Sequence, residues 1–147
     1  MKIEEIIKTL NEFVPYSEDD PVNDNESFLF NLMDSWIKVK DKKKAVPAIF
    51  QLMEKYPHAD FGSPGPLVHA LESGGTKLYD GELHNSLIRK PTPLTLWMYN
   101  RIINIENDKR IIRAHFERLK LFSNHPLVDA ETKDVAKDFI EHQAKRL

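Results

Sequence analysis

Apolar side chains that recur at the spacing of helix turns, in short runs cut by proline, glycine and acids, constrain this chain more than any other feature. Ile3, Ile6, Ile7, Leu10 and Val14 predict a first amphipathic helix over residues 2–14, stopped by Pro15. Residues 16–26 hold breakers and acids with almost nothing apolar to bury, and they predict a loop. Asp24 or Asn25 is positioned to cap a second helix that carries Phe28, Leu29, Leu32, Met33, Trp36, Ile37 and Val39, more than one helical face. A basic turn over 38–44 follows. A third helix, capped by Asp41 and running to about Tyr56, turns Val46, Ile49, Phe50, Leu52 and Met53 inward, with Pro47 in its first turns and Pro57 at its end.

Ser63-Pro64-Gly65-Pro66 predicts a capped, short fourth helix through Glu72, terminated by Gly74-Gly75. A fifth is expected from Asp80 to Arg89, with Leu83, Leu87 and Ile88 on one side. After Pro91-Thr92-Pro93, Thr92 caps the most apolar segment, 94–103. Asn107 or Asp108 caps a seventh helix over 109–122, with Ile111, Ile112, Phe116, Leu119 and Phe122 inward. The last begins at Asp129 or Ala130 and carries Val135, Phe139 and Ile140. No stretch alternates apolar and polar residues for a useful length, so the expected fold is all-α, with about eight helices in a single domain over 1–147. Short antiparallel helices on short loops stack either as an irregular bundle or as a solenoid.

Charge and composition narrow the function. The 21 basic residues are outnumbered by 23 acids, for a net charge of -2, which disfavours generic nucleic-acid binding because that binding draws on released counterions. There is no cysteine, so disulfides, thiolate metal sites and cysteine nucleophiles are excluded. Met1-Lys2-Ile3-Glu4-Glu5 is acidic where a secretory leader is basic and then apolar, and no run approaches the ~20 apolar residues of a membrane span. A cytoplasmic location with no membrane partner is expected. Phosphate-cradling and dinucleotide-binding glycine loops are absent, and no cofactor is implied.

Ala45-Val46-Pro47-Ala48-Ile49-Phe50-Gln51-Leu52-Met53-Glu54 resembles the first-helix pattern of HEAT-like repeats, and Gly65-Pro66-Leu67-Val68-His69-Ala70-Leu71-Glu72 loosely resembles the second helix of such a pair. The resemblance covers about 30 residues and implies helix-pair stacking with a binding surface. In size, acidity and lack of cysteine the chain is also similar in type to immunity proteins of bacterial toxin systems. That likeness implies a partner toxin domain and transfers no residue.

Three constellations are candidates for function. Glu18, Asp19, Asp20, Asp24 and Glu26 form a local negative field suited to steering a basic partner, such as a toxin nuclease that grips phosphates. Arg89, Trp97 and Arg101, with Asn100, are residue types that anchor interfaces, although Trp97 serves equally as core. His69 and Glu72, three apart on a helix, with His84 beyond the glycine turn, would make a three-ligand metal site and hence a small metal-dependent hydrolase; a half-buried helix histidine and two solvated side chains explain them as well. The basic residues of the last two helices, Lys109, Arg110, Arg113, Arg118, Lys120, Lys133 and Lys137 among them, would suit weak nucleic-acid binding, but interspersed acids largely neutralise them. The leading expectation is a protein-binding module, not an enzyme, of the toxin-neutralising kind, with the acidic loop and the Arg89, Trp97 and Arg101 neighbourhood as its contact surface.

Overall fold

In the computed structural model, which describes all of residues 1–147, the chain forms eight α-helices and no strand. Helix α1 (Ile3–Glu12) buries Ile3, Ile6 and Leu10 on one stripe, and Glu4 and Glu5 complement the positive end of its dipole. It stops two residues short of the expected end. The residue before Pro15 is sterically driven out of the helical region, and the chain becomes extended already at Phe13. Phe13 thereby turns inward, stacked on Phe28 at 5.2 Å and tilted against Phe61 at 6.3 Å, while Val14 faces water.

Asp24, not Asn25, caps α2 (Asn25–Trp36), its carboxylate accepting from the Ser27 amide. Asn25 is spent differently. Its side-chain oxygen accepts from the Tyr16 amide at 2.7 Å and its nitrogen donates to the Asp60 carbonyl at 3.1 Å, tying two loops to the start of the helix. At the other end Trp36 is fully buried, and its indole N–H donates to the Lys42 carbonyl at 2.7 Å, which fixes the basic turn. Asp41 caps no α-helix; a 3-10 turn (Lys42–Ala45) intervenes, and α3 (Val46–Lys55) starts with Pro47 in its first turn, where a missing amide costs nothing.

Gly65, with φ near +90°, takes the cap position of α4 (Pro66–Ser73) that the sequence assigns to Ser63. Any side chain there would collide with the Phe61 carbonyl, so the backbone crossing demands glycine. Gly75 is also left-handed, and the chain turns so tightly that α5 (Thr76–Arg89) begins four residues before the expected Asp80. Its buried stripe is Tyr79, Leu83 and Leu87, one helical turn apart, and Ile88 points outward.

Thr92 and Thr95 form a reciprocal capping box at α6 (Pro93–Asn104). Asp108 caps α7 (Lys109–Ser123) and Asp129 caps α8 (Ala130–Ala144). Ile111 lies on the solvated side of α7, next to the buried Ile112. In α8 the fully buried positions are Thr132, Ala136 and Gln143, while Val135, Phe139 and Ile140 are half-buried. The chain divides into two compact units, Met1–Glu82 and Leu83–Leu147, with the boundary inside α5. In the first, α1 packs on α3 and α2 on α4; in the second, α8 packs on both α6 and α7.

Candidate functional site: a groove between α2 and α4

Phe28, Leu29 and Phe30 are consecutive, and one helical face cannot bury three neighbours set about 100° apart. Leu29 takes the core, Phe28 packs with Phe13 and Tyr16, and Phe30 is left 64% exposed. Ile37, two turns further on, is 39% exposed on the same side. These side chains stand along an open groove of about 830 Å³ whose walls are α2 and α4 and whose end is the loop at Gly62, Ser63 and Gly65. Met33 and Ala70 line it as buried apolar surface. The site lies wholly within the first unit.

The walls are held independently of any occupant. Asn25 links the start of α2 to the Asp60 carbonyl, and the Asp60 carboxylate accepts from the Gly62 amide at 3.0 Å. Phe61 is 1% exposed and anchors the loop, which then folds back through Gly65 into the first turn of α4. A groove built in this way loses little freedom when it is filled.

Its charge is one-sided. Glu26 and Asp34 line it, and no lysine or arginine does; His69 is the basic-type side chain on the α4 wall. Asp34 is paired with Lys38 at 3.1 Å, both well exposed, in a contact of the weak surface kind. Ser27 and Ser73 spend their hydroxyls on Asp24 and on the Ala70 carbonyl.

The acids of the preceding loop split into two roles. Asp20 accepts from the Val22 and Asn23 amides in a local turn, and those backbone donors, Asn23 first, hold its carboxyl below the usual range. The Ser27 amide and then its hydroxyl do the same to the Asp24 cap. Glu18, Asp19 and Glu26 face water with their carboxylates uncommitted to such turns, and of the five only Glu26 lines the groove.

Arg89, Trp97 and Arg101 belong to the other unit. The Arg101 guanidinium lies 4.8 Å from the centre of the half-buried Trp97 ring, a cation–π pair, and Asn100 is buried as an acceptor for Gln143 at 2.7 Å. Two of the four residues are therefore engaged with one another and a third is structural. His69 and Glu72 belong to the first unit and His84 to the second. His69 is exposed on α4, His84 sits edge-on to Phe122 at 6.4 Å, and no group of three or more histidine or acidic side chains is placed to hold a metal ion. On α7 the acids do pair with the bases, Asp108 with Arg110 at 3.2 Å and Glu117 with Lys120 at 3.0 Å.

Sequence reasoning missed Phe30, Met33 as a groove residue, Asp34 and the Gly62–Gly65 crossing. The signal for Phe30 was there, in three apolar neighbours at the head of one helix. None existed for the loop crossing, which joins backbone to backbone. No helix of the chain is long and apolar enough to cross a membrane. No family model, curated protein or solved structure matches the chain.

Proposed function

We propose that the chain is a protein-binding module whose contact face is the α2–α4 groove, working in the cytoplasm in the manner of an immunity protein that occludes a toxin domain. The observation that carries this reading is Phe30, a large aromatic side chain held in water on a wall that the fold has already fixed. Apolar side chains presented in a rigid concavity are what interfaces use as anchors, and scattered surface apolar residues lack that setting. The uncommitted acids Glu18, Asp19 and Glu26 favour a basic partner, and a nuclease domain is basic because it grips phosphates. The HEAT-like pattern enters the same reading as a proposal of ancestry, supported by the proline-led start of α3.

Co-expression with the protein encoded beside it, followed by size-exclusion chromatography and a growth-protection assay, tests this function. A co-eluting complex and protected growth are expected, and both should be lost on Phe30→Asp while the free variant stays helical. Separate elution with no protection by the wild-type chain would overturn the reading.

A further inference from the structure

Glu26, Phe30 and Asp34 follow one another at four-residue intervals along α2, and all three line the groove. Side chains four apart are neighbours on a helix, so the wall presents an acid, an aromatic ring and a second acid in a row. At a rise of about 1.5 Å per residue the two acids stand about 12 Å apart along the axis. Ile37 continues the apolar edge, and Met33 and Ala70 supply the floor. Nothing positively charged of the lysine or arginine kind lines the cavity to neutralise the acids from inside.

We propose that the groove takes a basic amphipathic segment of a partner protein. One large apolar side chain seats against Phe30 over Met33 and Ala70, and lysine or arginine residues on either side reach Glu26 and Asp34. The proposal deepens the reading of the groove as the contact face and rests on it. Its pattern of base, apolar, base is the complement of the wall, and this selects among occupants. An acidic helix would meet two carboxylates countered only by the exposed Lys38 at Asp34, and a nucleic acid or an anionic lipid surface would meet the same repulsion. The Lys38 contact to Asp34 is no obstacle, because an exposed single ion pair exchanges readily for a better-placed cation. The groove is open to solvent rather than enclosed, which suits a segment laid into it better than a small molecule that must be enclosed.

The test uses the full chain, isotope-labelled for amide NMR, and three synthetic helical peptides of equal length. One carries leucine flanked by lysines, one leucine flanked by glutamates, and one lysines with serine in place of leucine. The basic apolar peptide should shift amides of α2 and α4, bind at least tenfold more tightly than either control, and weaken as salt is raised. Phe30→Ala should cost about tenfold, and Glu26→Gln with Asp34→Asn should remove most of the salt dependence. Tight binding of the glutamate peptide at the same amides would overturn the charge assignment while leaving the groove as a protein contact. Failure of all three peptides to shift α2 or α4 would overturn the proposal. A partner complex that then survived Phe30→Asp would show that the groove reading had failed with it.

Discussion

The buried polar residues of this chain work in completed sets. Gln143 has no solvent exposure, yet its amide nitrogen donates to Asn100 and Asn104 at 2.7 and 2.8 Å and its oxygen accepts from Arg146 at 2.9 Å. Arg146 also donates to the Ile103 carbonyl in the last turn of α6 and to the Glu106 carbonyl just beyond that helix, at 2.7 Å each. His115 is the residue whose surroundings turn on pH. Its Nδ1 lies 2.8 Å from the Tyr99 hydroxyl; desolvation first, and the Arg118 charge second, hold its pKa below the ordinary value, while burial pushes the Tyr99 phenol up. The folded chain therefore holds this proton less tightly than the unfolded chain, where imidazole titrates near about 6.5. The stability it contributes is complete above that pH and is lost as pH falls through the lower folded value. Urea midpoints should drop between about pH 7.5 and pH 5, and His115→Asn should flatten that slope. An equal drop in both proteins would remove His115 from the account.

At the scale of the element, α2 has two apolar faces with different work. Leu29, Leu32, Met33 and Trp36 face the core, and Phe30 and Ile37 face the groove. Trp36→Ala should cost about 3–5 kcal/mol because it empties a fully buried site and frees the Lys42 carbonyl. Phe30→Ser should stay within about 0.5 kcal/mol of wild type by thermal or urea unfolding, since that ring is solvated in the free chain. A loss at Phe30 comparable to that at Trp36 would make it a core residue and not a contact. The helices themselves were legible because their apolar spacing and their capping residues Thr92, Asp108 and Asp129 act locally. Val14 was misread as part of the inward stripe because an early exit from the helix before Pro15 turns Phe13 inward in its place. Of the two cap candidates Asp24 takes the role, and the work of Asn25 left no local trace because its partners, Tyr16 and Asp60, are 9 and 35 residues away. The Gln143 network spans about 40 residues and leaves no local trace for the same reason.

Over the whole molecule, the candidate contacts read from the sequence fall into two compact units. Glu18, Asp19, Asp20, Asp24 and Glu26 lie in Met1–Glu82, and Arg89, Trp97 and Arg101 in Leu83–Leu147. Of the two, the first also holds the groove, and there the exposed ring, the fixed walls and the acids coincide. In the second, Trp97 and Arg101 are engaged with each other and Asn100 with Gln143. The proposed contact face therefore lies in the first unit. Hydrogen–deuterium exchange of the full chain, free and saturated with the protein encoded beside it, measures this directly. Protection concentrated in residues 26–37 and 62–73 is the predicted result; protection confined to residues 83–147, with those two segments unchanged, would contradict it.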